Sequence, residues 1–310
     1  MKLAVYGTGG VGGYFGGRLA LTGAEVHLIA RGVHLEALRA QGLKVKSTKG
    51  DFQVDLSATD DPSEIGPCDY VLFTVKSFDT DAAAALLRPL IGEGTAIISF
   101  QNGVDNEEKI AGAVGDAHVM GGAAYIFSTI VEPGVIAHTG GPARFVFGEM
   151  DGAPSERAKR LLDLSQKADI DAVLSEAVVE VLWDKFAFIC AQAGITAAVR
   201  LPIGVVRSVD ESWTAFRNVV EEVRAVASAE GIDLPPDTAD RHSRFAQGLE
   251  PTAYSSLYDD LTHGRRMELE ALHGSVVKRA RRHKIPVPVS EAIYAILRPW
   301  AVHNEAATTS

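Results

Sequence analysis

Apolar residues in the first half of the chain come in short bursts, at positions 3–6, 26–29, 70–75, 96–100 and 119–125, separated by longer mixed segments. Continuous apolar runs of this length read as strands buried on both faces, and their alternation with helical or loop segments is the rhythm of parallel strands joined by crossovers. Past a further strand-like stretch at 171–174 the pattern lengthens. Apolar positions then recur at helical spacing over 176–198, 210–230, 238–248, 265–283 and 290–297. Gly231 followed by Pro235-Pro236, and Pro286 with Pro288, punctuate these helices. The expected architecture is α/β: a Rossmann-like, doubly wound domain over residues 1–174, then an all-helical domain over 175–310. No repeat or low-complexity linker separates the two, so they are expected to pack closely with a cleft between them as the site. Only residues 305–310 read as a tail without order.

The first strand runs into Gly7-Thr8-Gly9-Gly10-Val11-Gly12, followed by a helical stretch and the strand at 26–29, which is the G-x-G-x-x-G fingerprint in its required context. Gly7 permits the tight turn, Gly9 lets the backbone approach a pyrophosphate, and Gly12 lets helix and strand pack closely, while amides of the loop and helix start, from Thr8 through Val11, face the anion. The second strand ends Leu28-Ile29-Ala30-Arg31-Gly32. An NAD enzyme would place a carboxylate there for the ribose diol. Arg31 instead offers a planar, permanently charged group to a 2'-phosphate, so NADPH/NADP is the expected cofactor. The lesser alternative is that Arg31 is a solvated loop residue.

Lys76 and Asn102 follow the strands at 70–75 and 96–100, at carboxyl ends where open α/β sheets bind ligands, and both are candidates to meet cofactor or substrate. Asn102-Gly103 is also a dipeptide that forms turns readily. In the second domain Lys185 follows Trp183 and Asp184 and precedes apolar Phe186, Phe188 and Ile189. Ketone reduction needs a proton at oxygen as hydride reaches carbon, and a partly desolvated lysine can supply it. Taken alone, a lysine on a helix is usually solvated, and Glu268 in Arg265-Arg266-Met267-Glu268 is more often a surface charge.

Composition narrows the classes. A formal charge of −10 argues against binding to nucleic acid. The basic run Lys278, Arg279, Arg281, Arg282, Lys284 closes a predicted helix and reads as a solvated terminus that suits the helix dipole. Two cysteines, Cys68 and Cys190, lie far apart without C-x-x-C spacing, so no disulfide framework and no metal site is expected, and a cytoplasmic setting fits. The opening run lacks the pattern of a signal peptide. The longest mostly apolar stretch, 186–199, is shorter than the ~20 residues of a membrane helix and reads as core.

Order and spacing together resemble the ketopantoate reductase (2-dehydropantoate 2-reductase) family from Lys2 to about residue 300. The marks are the glycine loop, Arg31, Lys76, Gln101-Asn102-Gly103, Glu132-Pro133-Gly134, Trp183-x-Lys185, and Ser255-Ser256 followed by Glu268. The resemblance implies a Rossmann domain plus an all-helical domain, and NADPH-dependent reduction of 2-dehydropantoate to D-pantoate on the way to pantothenate and coenzyme A. It implies Lys185 as general acid, Glu268 as the carboxylate that positions it and the substrate, Ser256, with Ser255 beside it, as substrate-binding hydroxyls, and Asn102 near nicotinamide and substrate. The chain departs from the family at Ile189, Ala193 and Ala253, where asparagines are typical, which removes hydrogen bonds to a polar substrate. Two alternatives follow: a paralogous reductase of a bulkier, less polar ketone or 2-oxo acid, and a non-catalytic NADPH-binding sensor. The expected partner is a small 2-oxo acid, with room for a homodimer.

Overall fold

The computed structural model describes residues 1–309, which divide into two compact units: Met1–Gln101 with Asn106–Val178, and Asn102–Asp105 with the chain from Val179 onward. The first unit is built on one sheet. Its strands are β1 (Lys2–Tyr6), β2 (Glu25–Ile29), β3 (Leu43–Ser47), β4 (Phe52–Val54), β5 (Ala58–Thr59), β6 (Tyr70–Phe73), β7 (Ala96–Ser99), β8 (Val119–Glu132), β9 (Val135–Glu149) and β10 (Asp171–Leu174). They lie in the order β4-β3-β9-β8-β7-β6-β1-β2-β5, with β10 beside β9. The strands from β2 through β1, β6 and β7 to β8 are parallel, as the apolar bursts predict.

The other half of the sheet departs from a purely parallel one. β8 continues to Glu132 and turns at Pro133-Gly134 into antiparallel β9. β9 escapes a pattern reading because Gly140, Gly141 and Pro142 interrupt its apolar positions, and the outer half of β8 is exposed, with Phe127 54% accessible. β3, β4 and β5 are short and polar on alternate positions, so no apolar burst announces them. Two- and three-residue strands at the edges limit the unpaired backbone on offer to another chain.

The helices of this unit are α1 (Gly10–Ala20), α2 (Gly32–Gln41), α3 (Thr80–Ala84), α4 (Asn106–Val114) and α5 (Glu156–Lys167). Glycines let α1 sink into the sheet: a Cβ on Gly16 would stand 2.4 Å from Val5 Cγ2, and one on Gly17 2.8 Å from the Phe52 ring. Behind α1, Phe15, Phe100 and Phe145 pack with ring centroids 4.9–6.1 Å apart. Each such side chain contributes about 1.5–3 kcal/mol by leaving water.

The second unit is helical: α6 (Val178–Val199), α7 (Ile203–Val206), α8 (Asp210–Ala229), α9 (Thr238–Gln247), α10 (Ser256–Thr262), α11 (Ser275–His283) and α12 (Pro288–Thr309), with a π-helical turn at Glu270–Gly274 leading into α11. α6 is apolar on most of its surface and buries Phe186, Ala187, Cys190, Ala191, Ala193 and Ala197. No helix among the described residues is long and apolar enough to cross a membrane. The buried Glu222 carboxylate accepts N–H bonds from Val289 and Ser290, both 2.8 Å, and so caps α12. α12 runs through Pro299 to Thr309, longer than the stretch expected to stop at 297 and through most of the presumed tail; Ser310 lies outside the described residues.

The π turn docks on α6 through His273. This imidazole is fully buried, its Nε2 lies 3.0 Å from Cys190 O, and burial pushes its pKa down to about 4. The ring occupies the notch left by Gly194, where a Cβ would stand 2.0 Å from Nε2. Gly194→Ala is therefore expected to lower stability by about 1–3 kcal/mol through overpacking, read as a reduced urea midpoint with unchanged slope. An unchanged midpoint would show that the ring moves aside freely.

Candidate active site

Tyr6 stands in register with Ile29 and Phe73, and Phe73 with Ser99, so the segments after β1, β2, β6 and β7 all leave the sheet at one edge. The glycine loop is fixed there by its neighbours. Gly7 takes φ +97°, and its N–H and that of Thr8 both donate to Ile29 O, at 3.1 and 3.0 Å. Thr8 Oγ1 donates to the same carbonyl at 3.1 Å. Thr74, unmarked by any motif, donates from Oγ1 to Gly7 O at 2.6 Å and ties the end of β6 to the loop.

The individual glycines separate by role. A Cβ on Gly9 would meet no described atom within 4 Å, so this backbone is open to a ligand. A Cβ on Gly12 would lie 2.7 Å from Gly7 O and 2.8 Å from Val5 Cγ1, the close helix-strand packing the spacing predicts. Gly10 has its own constraint, since its Cβ would stand 2.2 Å from Ser128 O on β8. The first bond inside α1 is Gly13 N–H to Gly9 O, 2.8 Å, which leaves the N–H groups of Gly10, Val11 and Gly12 ahead of it without a helical acceptor. An open glycine backbone beside first-turn amides suits a dinucleotide pyrophosphate.

Arg31 is exposed and precedes α2, with its guanidinium beside the Tyr6 hydroxyl; burial raises the pKa of that phenol and Arg31 partly offsets it. His34, one turn into α2, lies beside the Thr8 backbone and accepts the N–H of Gly134 at Nδ1, 3.0 Å. The Glu132-Pro133-Gly134 mark is thus the tip of the β8–β9 hairpin, held against α2.

Lys76 is exposed where β6 gives way to a short 3-10 turn, Ser77–Asp79. Buried Gln101 donates from Nε2 to Val75 O at 2.9 Å and Thr80 Oγ1 at 2.8 Å, cross-linking the ends of β6 and β7. Asn102 is half-buried and begins a turn in which Gly103 takes φ +105°. Residues 102–105 belong to the helical unit.

In that unit Lys185 is half-buried in the second turn of α6, and Ile189, Ala193 and Thr196 continue the same stripe of the helix. Ala193 is a core residue, 2% exposed, whereas Ile189 and Ala253 are partly buried at the core edge. Thr196 Oγ1 donates to Gln192 O, so the Ser255 hydroxyl donates to Thr196 Oγ1, 3.0 Å away. Ser255 Oγ also accepts the Tyr258 N–H at 3.0 Å, capping α10. Ser255 thus holds its loop on α6, while Ser256 is exposed. Glu268 is buried at 8% exposure, which removes the surface-charge reading. Its segment is anchored on either side of Arg265: the Arg265 guanidinium pairs with Asp260 at 2.9 Å, and its carbonyl accepts from Asn304 Nδ2 on α12 at 2.9 Å.

Residues 3–152 match the family Ketopantoate reductase PanE/ApbA, and residues 177–301 match Ketopantoate reductase PanE/ApbA C terminal. The uncharacterized oxidoreductase YkpB of Bacillus subtilis is 32% identical over 302 residues, covering 97% of this chain and 99% of that protein. The chain belongs to the ketopantoate reductase family. A 2-dehydropantoate 2-reductase of Halobacterium salinarum is 31% identical over 304 residues, 96% of this chain and 98% of the relative. The crystal structure of a PanE/ApbA family ketopantoate reductase from Ralstonia eutropha superposes with a TM-score of 0.91 at 34% identity, covering 98% of this chain and 100% of that one. As a ketopantoate reductase family member the chain is an NADPH-using oxidoreductase acting on a CH–OH group, which sets aside a non-catalytic sensor. Thr74, Gln101, His34 and Gly10 hold the glycine loop, the strand ends and the β8–β9 hairpin in place, and although Gly10 and Gln101 fall within the quoted motifs, these structural roles are not legible there because each is defined by a partner far along the chain.

Proposed function

We propose that the protein reduces the carbonyl of a 2-oxo acid with NADPH, by default 2-dehydropantoate to D-pantoate, in a cytoplasmic route toward pantothenate and coenzyme A. The observation that carries this reading is the full-length relation to 2-dehydropantoate 2-reductases, in a chain that keeps both Lys185 and Glu268. Bound NADPH would supply the hydride that reaches the carbonyl carbon.

The chain's own residues do the rest. The amides of Gly10, Val11 and Gly12, beside the open backbone at Gly9, receive the pyrophosphate, and Arg31 pairs with the 2'-phosphate; Thr8, whose N–H and hydroxyl both donate to Ile29 O, shapes the loop instead of meeting the anion as expected. Lys76 and Asn102 bind the cofactor from the strand ends, and Asn102 also meets the substrate. The Lys185 ammonium gives its proton to the carbonyl oxygen and regains one from solvent. Buried Glu268 helps to position that lysine and the substrate. Ser256, supported by Ser255, donates a hydroxyl to the substrate.

A second reading rests on the partly buried apolar side chains of Ile189 and Ala253, which offer no amide to a polar tail. If they border the substrate, each further methylene buried is expected to raise kcat/KM about fourfold along a series of 2-oxo acids with longer aliphatic tails. Following NADPH absorbance across 2-dehydropantoate and that series decides between the two readings. A preference for 2-dehydropantoate by orders of magnitude removes the second, and no turnover of any 2-oxo acid overturns both.

A further inference from the structure

One arginine of the basic run in α11 is not a solvated cation. Arg279 is 9% exposed. Its Nε donates to Asp105 Oδ1 at 3.0 Å, and Nη2 bonds the same oxygen. Nη1 lies 3.0 Å from Glu230 Oε2, whose other oxygen is 3.0 Å from His283 Nε2. The guanidinium carbon stands 5.5 Å above the centroid of the Trp183 ring. All these groups belong to the helical unit, Asp105 through the short segment Asn102–Asp105.

Burying a guanidinium is costly unless its donors are spent on carboxylates and its face on an aromatic ring, and here both conditions are met. Two of its partners adjoin residues of the candidate site. Asp105 is three residues from Asn102 and closes the turn that Asn102 opens. Trp183 is two residues from Lys185 on α6.

We propose that Arg279 is a positioning residue of the reductase: seated on Trp183 and held by Glu230, it grips Asp105 and thereby fixes where Asn102 stands relative to the helix that carries Lys185. This rests on the roles proposed above for Asn102 and Lys185. Arg279 itself touches neither.

The test uses the full chain with Arg279→Met, and with Asp105→Ala as a second variant that breaks the same grip from its more exposed side. In both, kcat/KM for 2-dehydropantoate, or for the preferred 2-oxo acid, should fall about 10- to 100-fold, because a misplacement of order 1 Å is enough for such a loss. The Kd of NADPH, read by fluorescence titration, should weaken by no more than it does in Asn102→Ala, because the variants displace Asn102 and leave the glycine loop and Arg31 intact. Amide exchange at residues 103–106 should speed at least about tenfold, with β1 and α1 unaffected. In an Asn102→Ala background the further cost of Arg279→Met should shrink to less than about threefold, since a residue already removed cannot be misplaced. Arg279→Lys, which keeps the charge and loses the fork, should resemble Arg279→Met rather than wild type. Unchanged exchange at 103–106, or a full multiplicative cost in the Asn102→Ala background, overturns the proposal. Normal turnover by the Asn102→Ala variant alone would instead overturn the reading of the site on which the proposal rests.

Discussion

Lys185→Ala should lose about 10²- to 10⁴-fold in kcat while NADPH affinity stays within about twofold, the range expected when a general acid is removed and ground-state binding is not. The carbonyl oxygen must gain a proton as its carbon gains hydride, and without an acid at hand the transition state carries an alkoxide. Lys185 is suited to the task by its place: half-buried in the second turn of α6, in a unit distinct from the one that carries the glycine loop. Lys185→Arg is expected to fare little better, because a guanidinium keeps the charge and does not release its proton. Steady-state rates at saturating NADPH and 2-oxo acid measure the loss. A near-normal kcat in the alanine variant would reassign Lys185 to the surface of its helix.

Wild type should bind NADPH at least about tenfold more tightly than NADH, and Arg31→Ala should abolish the difference. A charge-assisted hydrogen bond to a phosphate is worth about 1.5–3 kcal/mol. Arg31 is exposed, so solvent and salt screen the pairing and the low end of that range applies. The preference should therefore narrow further as ionic strength rises, a signature that a purely steric fit to the 2'-phosphate lacks. Titrating both nucleotides against both proteins at low and high salt reads all of this. Equal affinities in wild type would show that Arg31 faces solvent and that the cofactor is chosen elsewhere.

Much of the molecule is legible without coordinates where its cause is local. The apolar bursts that became β1, β6 and β7 are recognisable because a strand buried on both faces has no polar position to spend. The glycine loop reads correctly because a positive φ at Gly7 and close packing at Gly12 are demands on one residue and its immediate turn. Arg31 is visible for a related reason: the position just past β2 is set by counting from the loop. The helical unit announces itself through periodicity and through proline and glycine punctuation, although Pro299 conceals the last turns of α12, which continue past it.

Tertiary structure decided whatever depends on a partner distant in sequence. The antiparallel β8–β9 hairpin is a matter of pairing, and pairing is not written in either strand when glycines and a proline break the pattern of one of them. Glu268 and Arg279 look alike in sequence, charged residues in charged surroundings, and both are buried in the fold, Arg279 against Asp105, Glu230 and Trp183. Gly10 and Gly194 are glycines because Ser128 O and the His273 ring arrive from more than 70 residues away. Sequence alone therefore determined the apolar strands β1, β2, β6 and β7, the longer helices and the backbone of the glycine loop, since those obey rules that act within a turn or a strand. Which polar groups are buried, and what holds each in place, only the folded chain could decide, because desolvation and hydrogen bonding are properties of a neighbourhood that chain folding assembles.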